Sequence, residues 1–587
     1  MNNKSMILLS LVVMMSVAHA VAAGQPIIKA SPELLAKDGD FITITWDGIA
    51  KPTAYDTIAI YYPPTADITI PIGFIPLSTA SSTYKAGYGS VTIPLVNVRD
   101  TYVFRLWVEG NAHPSMPSPI NSKVDITMVG ASNNVTFQNI NAPEKPYLAY
   151  TNYTSEMRLN WISGTDDTPV IYYGTSPSQL TMSVQGSSST YTIDQMCASP
   201  ANDPNYFRHP GYIHDAVMTG LTESTQYFYY FGSQQSGFSA VFNFTSAPKP
   251  STEAYIVAFG DLGMQPPFSC NCEMMPPATS TIENVLTTIS APWSQSWAST
   301  LGKKSPHDTD IAPHWSLLHI GDISYARGNA FVWDWYHQSI QEITSQAPYM
   351  VSIGNHEYDY TKQPFYPEWS DYGSDSGGEC GVPYYYRYNM PGYGENADNW
   401  YSYEVGPIHF TQMSGEHDFL IGSPQYNWLE ADLASVNRTK TPWVIFSGHR
   451  PMYGTDSGES GMYSHLQNNL EPLIVEYDVN LCFWAHVHAY ERTCGMYNFT
   501  CADNDNDAPV HITIGMAGNI DQAPWAGGSH EPQPSWSMFR AMNYGYTRFY
   551  ANMTDLIFEY VGNQRNQVHD TIKLHSKYAE DFDLEAL

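Results

Sequence analysis

Basic residues are scarce in this sequence. Its 587 residues include 26 Lys and Arg against 57 Asp and Glu, a formal net charge of −31, yet only 14% of residues are charged. The acidity therefore comes from a shortage of Lys and Arg and not from dense acidic tracts. Because no cluster of Lys and Arg offers a footprint for DNA or RNA, we expect no nucleic acid polymer among the partners of this protein.

Cysteine is also scarce, and seven residues are too few for a disulfide scaffold. Cys494 and Cys501 bracket a short segment and are predicted to close a small loop. Cys482 lies inside an apolar run and is predicted to be a buried free thiol. Cys270 and Cys272 form a C-x-C pair without a second pair, which argues against a zinc site there.

Long apolar runs are lacking after the amino terminus. Residues 1–23 contain one lysine, an apolar run from Met6 to Val17 and small residues that fit a signal-peptidase site. They are predicted to be a removable signal peptide. No later stretch approaches the roughly eighteen apolar residues of a membrane-spanning helix, so we expect no membrane anchor. The protein is therefore expected to be secreted or lysosomal.

Asn-x-Ser/Thr triplets agree with a secretory route, because they are the acceptor sequence for N-glycosylation. They begin at Asn134, Asn152, Asn243, Asn437, Asn498 and Asn552. In a chain with a signal peptide, we expect at least some of these sites to be modified.

The first part of the chain alternates short apolar and polar runs between Gly, Pro and Asn/Asp turns, which predicts β-sandwiches. FITITW, TIAIYY and YVFRLWV define a first domain over residues 24–140. MRLNWIS, PVIYYG, TYTI and QYFYYFG define a second over residues 141–249, which ends at the linker SAPKPST. The first domain is interpreted as a structural or protein-contact module.

Residues 250–587 show a different pattern, in which apolar runs alternate with amphipathic stretches such as STIENVLTTI and NAFVWDWYHQSIQEIT. This alternation is typical of the βαβ units of an α/β domain. The stretch from Met264 to Pro313 is long for a connection and is predicted to hold an insertion over the functional face. HITIGMAGN and YTRFYANMTDLIFEYVG are predicted to be two more strands that complete the second half of the sheet.

Five apolar runs in this domain each end in residue types that bind metals. The loops at the carboxyl ends of strands in an open α/β sheet meet in one crevice, so the ordered set predicts a shared site. The runs lead to Asp261 in AYIVAFGDLG, Asp322 in LLHIGDISYA, Asn355 and His356 in MVSIGNHEYD, His449 in WVIFSGHRPMY, and His486 with His488 in LCFWAHVHAYER. An isolated H-x-H pair at a strand end would place its imidazoles on opposite sides of the extended chain.

Oxygen ligands combined with imidazoles suit a pair of cations bridged by one carboxylate. Two cations about 3.5–4 Å apart lower the pKa of bound water and clamp the oxygens of a transferring phosphoryl group. The residue set therefore predicts a two-metal hydrolase that acts on phosphate esters.

These motifs resemble those of the purple acid phosphatases, a family within the metallophosphoesterase superfamily. The resemblance rests on GDLG at 260–263, GDISY at 321–325, GNHE at 354–357, the histidine of SGHRPMY, and AHVHAYER at 485–492. Residues 141–249 also resemble the Fn3-like domain that precedes the catalytic domain in long members. The implied fold is multidomain, with N-terminal β-sandwich domains followed by an α/β metallophosphoesterase domain of two packed mixed sheets flanked by helices.

The resemblance implies a dinuclear metal centre. Fe(III) would be held by Asp261, Asp322, Tyr325 and His488, and a divalent ion (zinc, manganese or iron) by Asp322, Asn355, His449 and His486. A hard trivalent ion favours carboxylate and phenolate oxygens, whereas imidazole and amide ligands suit a borderline divalent ion. Tyr325 is the distinguishing residue, because the family uses it as a phenolate ligand to ferric iron, which gives the purple colour.

The implied activity is that of an acid phosphatase, which hydrolyses small phosphate monoesters by attack of metal-bound hydroxide. His356 resembles the family histidine that contacts the phosphate and assists leaving-group protonation; the alternative is that it only orients a ligand. Glu357 and Glu491 are interpreted as structural residues or as partners that fix imidazole orientation. There are two alternatives to this activity: a phosphodiesterase or nucleotide pyrophosphatase with the same metals, and a non-catalytic binding protein. The sequence also leaves open whether the protein forms a homodimer.

Two places depart from the family pattern. Small mammalian and two-domain plant members carry a further histidine nine or ten residues after the one that matches His449, and in this sequence those positions are Gly458 and Glu459. The same loop offers His465 or Asp456 in place of that histidine. The sequence therefore leaves open which residue assists the departure of the leaving oxygen. Ala485 stands where the family usually has glycine, and its methyl group is expected to tighten the turn without removing a ligand.

Overall fold

The structure is a computed structural model that describes residues 25–110, 115–270, 272–291, 314–392, 399–457, 460–525 and 533–578. The predicted signal peptide, residues 292–313 of the predicted insertion, and residues 579–587 at the carboxyl terminus lie outside the described residues. The described chain forms two successive β domains and a larger third domain of mixed helices and strands. This confirms the fold class that the sequence predicted.

The first domain is a β-sandwich. Its elements are β1 (Ile27–Ser31), β2 (Leu34–Leu35), β3 (Phe41–Asp47), β4 (Thr57–Tyr61), β5 (Gly73–Pro76), α1 (Leu77–Ala80), β6 (Gly89–Pro94), β7 (Val103–Glu109), β8 (Ser115–Pro117), β9 (Asp125–Ala131) and β10 (Thr136–Phe137). The strand orders are β1-β3-β6 and β5-β4-β7-β9-β8, with β10 beside β2. Alternate residues Ile42, Ile44 and Trp46 of β3 are buried, which is the strand periodicity that the sequence showed.

The second domain also contains two sheets. Its strands are β11 (Glu144–Ala149), β12 (Met157–Ser163), β13 (Val170–Gly174), β14 (Met182–Gln185), β15 (Ser187–Ser189), β16 (Tyr212–Met218), β17 (Gln226–Ser233), β18 (Gly237–Phe238) and β19 (Phe242–Thr245). The orders are β11-β12-β16-β15 and β14-β13-β17-β18, with β19 also paired to β17.

The prediction that TYTI forms a strand of the second domain is wrong. Residues 190–192 lie outside the strands, and a short 3-10 turn follows at Ile193–Gln195. Tyr191 is buried because it packs in one cluster with Ile162 and Ile213 of its own domain and on Tyr386 of the third domain, with the two tyrosine ring centroids 5.6 Å apart. Its burial therefore does not come from a position in a sheet.

The third domain carries the remaining helices and strands. They are β20 (Ala254–Phe259), α2 (Pro276–Ser290), β21 (Trp315–Ile320), α3 (Ala330–Thr344), β22 (Tyr349–Ser352), α4 (Asn355–Tyr358), α5 (Val382–Arg387), β23 (Tyr401–Val405), β24 (Ile408–Gln412), α6 (Pro424–Ser435), β25 (Trp443–Ser447), α7 (Ser460–Glu476), β26 (Leu481–Trp484), β27 (Tyr490–Tyr497), β28 (Thr500–Cys501), β29 (Val510–Ile514), β30 (Ser537–Ala541), β31 (Gly545–Ala551), β32 (Asp555–Gly562) and β33 (Gln567–His575).

These strands form two mixed sheets. One has the order β22-β21-β20-β31-β32-β33, and the other has the order β23-β24-β25-β26-β29-β27-β28 with β30 beside β27. β20, β21 and β22 run parallel, and so do β24, β25, β26 and β29. Parallel strands are covered on both faces, which explains why every residue of β20, β21 and β26 is buried. The sheets pack through contacts such as Phe483 with Phe549, whose ring centroids are 5.5 Å apart.

The carboxyl-terminal strands differ from the prediction. HITIGMAGN does supply a strand of the second sheet, because Val510–Ile514 lies beside Leu481–Trp484. YTRFYANMTDLIFEYVG is not one strand but a hairpin of β31 and β32, and it joins the first sheet, where β31 pairs antiparallel with β20. The turn at Asn552 reverses the chain, since its side chain accepts hydrogen bonds from the N–H groups of Thr554 and Asp555.

Helix boundaries in the third domain follow local sequence signals. The side chain of Asn329 accepts a hydrogen bond from the N–H of Phe331 and caps α3. Ser423 caps α6 through the N–H of Tyr426, and Pro424 occupies the first helical position. Both amphipathic stretches expected to be helical, within α2 and α3, are helices.

Covalent and ionic contacts connect the domains. A disulfide joins Cys197 of the second domain to Cys380 of the third. Arg99 of the first domain lies 2.5 Å from Asp334 on α3, with both side chains buried. The three domains are therefore in direct contact, and the first domain reaches a helix that follows a strand of the functional face.

The remaining cysteines behave largely as predicted. Cys494 and Cys501 form a disulfide, and Cys482 is a buried free thiol. Cys270 and Cys272 are joined to each other, which leaves no thiolate pair for zinc at that place. No helix within the described ranges is long and apolar enough to cross a membrane.

Candidate metal centre

The predicted ligands lie at the carboxyl ends of the parallel strands. Asp261 follows β20, Asp322 and Tyr325 follow β21, Asn355 begins α4 after β22, His449 follows β25, and His486 and His488 follow β26. Parallel strands carry their carboxyl ends to one edge of each sheet, and the two packed sheets place these edges side by side. The structure thus brings all seven side chains together.

One group of side chains surrounds the amide of Asn355. Nε2 of His449 lies 2.9 Å from Oδ1 of Asn355 and 3.2 Å from Oδ2 of Asp322. Nδ1 of His486 lies 2.9 Å from the same amide oxygen. This is the set that the resemblance assigned to a divalent ion.

A second group surrounds Asp261. The phenol oxygen of Tyr325 lies 3.1 Å from Oδ1 of Asp261. Nε2 of His488 lies 3.4 Å from that carboxylate oxygen and 3.4 Å from the phenol oxygen. These three residues, with Asp322, are the set that the resemblance assigned to Fe(III).

Asp322 belongs to both groups. Donor atoms of Asp322, His449 and His486 lie within 4.8 Å of one another, and so do those of Asp261, Asp322 and His488. Two overlapping groups that share one carboxylate are the arrangement that a bridged pair of cations requires. The donor chemistry therefore fits a dinuclear centre.

The electrostatics of the site also favour bound cations. Burial acts against a charged His449, but the charge of Asp322 and their hydrogen bond raise the pKa of His449 to about 10. Burial, and then the charges of Asp261 and Asp322, raise the pKa of Tyr325 well above its usual value. The phenolate form of Tyr325 therefore requires a cation beside it.

Several ligands have a strained backbone. Asp261, Asp322, Tyr325 and His486 have φ angles of 58°, 52°, 54° and 66°, in the left-handed region that non-glycine residues rarely adopt. Strain of this kind concentrates at functional sites. For His486 it has a direct effect, because the H-x-H segment is not extended and both of its imidazoles reach the same cavity.

Close packing of glycines holds the strand ends near one another. A Cβ on Gly354 would lie 2.3 Å from Oδ1 of Asp322, and one on Gly321 would lie 2.5 Å from Nδ1 of His449. A Cβ on Gly260 would lie 2.4 Å from the methyl group of Ala485. The departure from the family pattern at Ala485 is therefore accommodated by a glycine on the neighbouring sheet.

Of the two roles that the sequence left open for Glu357 and Glu491, the hydrogen bonds support the structural one and not the orientation of imidazoles. The carboxylate of Glu357 accepts hydrogen bonds from the N–H groups of Asp322, Ile323 and Gly354, at 2.8–3.0 Å. Glu491 accepts from the N–H of Thr455 at 2.8 Å. Each carboxylate fixes the backbone of a loop, since turns at strand ends leave N–H groups without sheet partners.

Backbone carbonyls and an arginine contact the imidazoles instead. Nδ1 of His449 lies 2.9 Å from the carbonyl of Ile320, and Nδ1 of His488 contacts the carbonyl of Asp521. Arg450 lies 3.3 Å from Nε2 of His486. No residue type in the sequence indicates these carbonyl contacts, because they depend only on the folded path of the chain.

Arg450 is the centre of a buried ion network that sequence reasoning missed. Its guanidinium contacts Glu416 at 2.8 Å, Asp371 at 3.0 Å and Asp359 at 3.2 Å. Both Glu416 and Asp359 are buried, and together with Asp371 they raise the pKa of Arg450 despite its burial. A single arginine directly after a ligand histidine was the available signal, but its partners lie in two other loops, residues 359–381 and 413–423.

The metal-ligand cluster opens into a cavity of about 210 Å³. Its lining residues are Asp322, His356, Asp456, His486, Val487, His488, Asp521 and Ala523. His356 is partly exposed here, and its ring centroid lies 4.4 Å from that of Tyr325. Its Nε2 lies 3.9 Å from Asp322, beyond hydrogen-bond distance. His356 is thus placed beside the ligands and facing the cavity.

The structure distinguishes Asp456 from His465, the two residues in the loop after His449 that were candidates to assist the leaving oxygen. Asp456 lines the cavity and accepts a hydrogen bond from the hydroxyl of Tyr463. His465 is not among the lining residues, and its ring stacks on Trp369 with centroids 3.8 Å apart. Gly458 and Glu459 lie outside the described residues.

The predicted glycosylation sites are spread over the three domains. Asn134, Asn152, Asn243, Asn437 and Asn498 are exposed. Asn552 is half-buried, and its Nδ2 donates to the hydroxyl of Tyr550 at 3.2 Å. The first five are accessible to a modifying enzyme, whereas Asn552 is engaged in the turn between β31 and β32.

Comparison with known proteins agrees with this fold and site. The family model for the purple acid phosphatase N-terminal domain matches residues 143–246, that for calcineurin-like phosphoesterases matches 292–490, and that for the iron/zinc purple acid phosphatase-like protein C matches 508–571. The fold and the site define a metallophosphoesterase.

Individual relatives cover nearly the whole chain. "Probable inactive purple acid phosphatase 9" of Arabidopsis thaliana is 37% identical over 93% of this chain and 85% of its own length. "Acid phosphatase type 7" of Homo sapiens is 30% identical over 70% of this chain and 85% of its own. The structure of a purple acid phosphatase from yellow lupin (Lupinus luteus) seeds matches with a TM-score of 0.78 at 28% identity, and covers 94% of this chain and 96% of that one. The chain belongs to the purple acid phosphatase family.

Proposed function

We propose that this protein is an acid phosphatase that hydrolyses small phosphate monoesters with Fe(III) and a divalent ion (zinc, manganese or iron). One observation carries the proposal: two ligand groups share Asp322 beside a cavity that His356 and Asp456 also line. An acid optimum is expected, since a ferric ion keeps hydroxide available at a pH where zinc alone holds mostly water.

The ligand roles follow from the two groups. Fe(III) would be held by Asp261, Asp322, Tyr325 and His488, and the divalent ion by Asp322, Asn355, His449 and His486. When bound, the pair would lower the pKa of a water molecule and take up negative charge from the phosphoryl oxygens. The protein contributes by fixing the donor atoms in advance, through the strained loops and the carboxylate of Glu357.

His356 and Asp456 are assigned to the substrate side. His356 would contact the phosphate and, together with Asp456, protonate the oxygen of the leaving group. Both side chains line the cavity and neither is in the ligand set, so they are placed to reach a substrate bound at the metals. A group that transfers a proton must come within hydrogen-bond reach of the leaving oxygen, which this placement allows.

Some Arabidopsis relatives are called "probable inactive" in their names. A protein that has lost the activity is expected to lose metal ligands first. In this chain each of the seven positions holds a residue with a donor atom, and the donor atoms lie close together. This completeness favours an active enzyme over a non-catalytic binding protein.

A second candidate is a nucleotide pyrophosphatase or phosphodiesterase that uses the same metals. A protein from Hordeum vulgare named "Nucleotide pyrophosphatase/phosphodiesterase" is 36% identical over 45% of this chain and 73% of its own length.

The cellular setting is part of the proposal. We propose a secreted or lysosomal glycoprotein without a membrane anchor, because the first 23 residues have the pattern of a signal peptide and five sequons are exposed. Small phosphate esters are the proposed partners, nucleic acid polymers are not expected, and a homodimer stays open.

Purified glycosylated protein tests the proposal directly. Metal analysis should find two metals per chain, one of them iron, and hydrolysis of an aryl phosphate, its diester, ATP and phytate should be measured from pH 4 to 8. We expect the monoester to be hydrolysed fastest, with an acid optimum. Absence of hydrolysis with both metals bound would support a binding protein, and faster diester or ATP cleavage would support the second candidate.

A further inference from the structure

The second domain has an exposed aromatic face. Tyr172 on β13 lies opposite Tyr230 on β17, and their rings stack with centroids 5.0 Å apart. Phe238 on β18 meets Tyr230 edge-on at 5.5 Å. Phe238 is 47% exposed, and Val241, just before β19, is 48% exposed. We call Tyr172, Phe228, Tyr230, Phe238 and Val241 the aromatic face.

This face is separate from the core of its sheet. Successive residues of β17 alternate, so Tyr229 and Phe231 are buried on the inner side while Phe228 and Tyr230 are only half-buried on the outer side. Contiguous exposed apolar surface usually has a partner, because leaving it in water costs free energy. The face lies on the second domain and shares no residue with the lining of the metal-site cavity.

The register of the strands places Asn243, a predicted glycosylation site, beside the aromatic face. Asn243 on β19 lies directly opposite Phe228 on β17, so the two side chains project from the same side of the sheet. Asn243 is exposed and begins the triplet Asn-Phe-Thr. Nε2 of Gln226 donates to Oδ1 of Asn243 at 3.4 Å, and this contact does not use Nδ2, the atom that carries an N-linked sugar.

We propose that Asn243 carries an N-linked glycan whose first two sugars lie on the aromatic face and stabilise the second domain. In the modification, a lipid pyrophosphate oligosaccharide is the donor. A bond forms between Nδ2 and C1 of the first sugar, the bond between C1 and the pyrophosphate oxygen breaks, and the amide proton leaves with the lipid pyrophosphate.

Distances make the contact feasible. Opposite side chains in an antiparallel pair are about 5 Å apart, so the first sugar lies beside Phe228. The diagonal neighbour is about 7–8 Å away, which brings the second sugar to Tyr230 and the stacked Tyr172. Sugar C–H groups carry partial positive charge, and aromatic ring faces carry partial negative charge, so the two surfaces attract.

Asn134 provides a matched comparison. It is exposed and begins a sequon, but the residues before it are the polar Ser132 and Asn133. A glycan at Asn134 should add solubility without covering a defined aromatic face. Loss of that glycan is therefore expected to leave the melting temperature nearly unchanged.

The test uses the full chain produced in a eukaryotic secretory host. Thr245→Ala removes the sequon while keeping Asn243, and Thr245→Ser keeps it as a control for the change at Thr245. Mass spectrometry of the Asn243 peptide reports occupancy, and thermal unfolding reports stability. We expect Thr245→Ala to lower the melting temperature by about 1–3 °C, and Asn134→Gln to change it by less than about 1 °C.

Phe228→Ala separates sugar packing from a general effect of glycosylation. With the glycan present, Phe228→Ala should lower the melting temperature; after complete enzymatic deglycosylation, its effect should shrink to about half or less. Trimming to a single sugar should retain only the part of the stabilisation that comes from the contact of the first sugar with Phe228. The proposal is overturned if Asn243 is unoccupied, if Thr245→Ala and Asn134→Gln have equal effects, or if the effect of Phe228→Ala is independent of the glycan.

Discussion

The phenol oxygen of Tyr325 lies 3.1 Å from a carboxylate oxygen of Asp261, although the two residues follow different strands. The contact depends on the parallel pairing of β20 with β21, which brings both strand ends to the same edge. Both residues have left-handed φ angles, so their side chains turn toward each other and away from the sheet. Both side chains are buried, and they belong to one of the two donor groups of the candidate metal centre.

Tyr325→Phe should abolish the visible colour of the iron-loaded protein. The phenolate is the group that would give an absorption band with Fe(III), and phenylalanine has no oxygen to donate. The measurement is the visible spectrum together with iron content. Tyr358→Phe is the control, because Tyr358 is close in sequence to Asn355 but is not a ligand candidate. A band that persists in Tyr325→Phe with iron bound would show that Tyr325 does not bind the iron.

Asp456→Asn should slow the hydrolysis of poor leaving groups selectively. If Asp456 protonates the leaving oxygen, kcat should fall by about 10–100-fold for an alkyl phosphate. It should fall only a few-fold for 4-nitrophenyl phosphate, whose leaving group departs without a proton. The ratio of the two rates is the measurement.

His465→Ala is the matched control for that experiment. His465 stacks on Trp369 and does not line the cavity, so kcat for both substrates should remain within about twofold of the wild-type value. An equal loss for both substrates in Asp456→Asn, or a selective loss in His465→Ala, would contradict the assignment.

Arg450→Gln should destabilise the protein and weaken its metal binding. The substitution leaves Glu416, Asp359 and Asp371 without their shared cation, and removing one partner of a buried ion network costs about 3–5 kcal/mol. The contact with His486 is lost as well, and displacement of such a supporting group typically lowers metal affinity by about 10–100-fold. Urea unfolding of the metal-free protein and metal titration measure the two effects.

Lys577→Gln is the comparison for Arg450→Gln. Lys577 pairs with Asp478 at 2.5 Å, but both side chains are about one-third exposed, so the loss should be about 0–1 kcal/mol. If the two variants were equally stable, the network around Arg450 would contribute no more than a surface pair.

The stability of the protein should depend on pH through His409. Burial opposes the charged imidazole, but the hydrogen bond to Asp432 at 3.1 Å and the charges of Asp432 and Glu404 raise the pKa of His409 to about 9. Because this value exceeds the unfolded value of 6.5, the contribution is complete below pH 6.5 and is lost as pH rises through 9. The loss is on the order of 1–3 kcal/mol.

His409→Gln tests this dependence. Urea unfolding at several pH values between 5 and 9.5 should show a smaller fall in the free energy of unfolding for the variant than for the wild type. Taking the difference between the two proteins removes the contribution of other titrating groups. Parallel curves for the two proteins would show that His409 does not contribute.

The residues that gather at the metal site could be predicted because each one directly follows a buried strand. In a parallel sheet this position alone brings Asp261, Asp322 and Asn355 to one edge, whatever the loops contain. For the two histidines after β26 the position alone was not sufficient, because an extended H-x-H segment would have placed their imidazoles on opposite sides of the chain. The left-handed φ of His486 directs both imidazoles into the cavity, and only the folded turn shows it.

Other features of the site had no local signal. Arg450 was not singled out, because its partners Glu416, Asp359 and Asp371 come from two other loops, and their approach to Arg450 is a tertiary property. The choice between Asp456 and His465 was also open in the sequence, and it depended on which side chain the loop turned toward the cavity. The prediction of a strand at TYTI was wrong because side chains of two domains bury Tyr191 without a place in a sheet.

By itself the sequence determined the order of domains, the positions of most strands and helices, and the residue types at the metal site, because these follow from hydrophobic periodicity and from side-chain chemistry. Only the tertiary structure decided how β31 and β32 return to the first sheet, which donor atoms share Asp322, and which side chains line the cavity. Those outcomes depend on packing between segments far apart in the chain, and the energy of such contacts is not encoded in any one stretch of sequence.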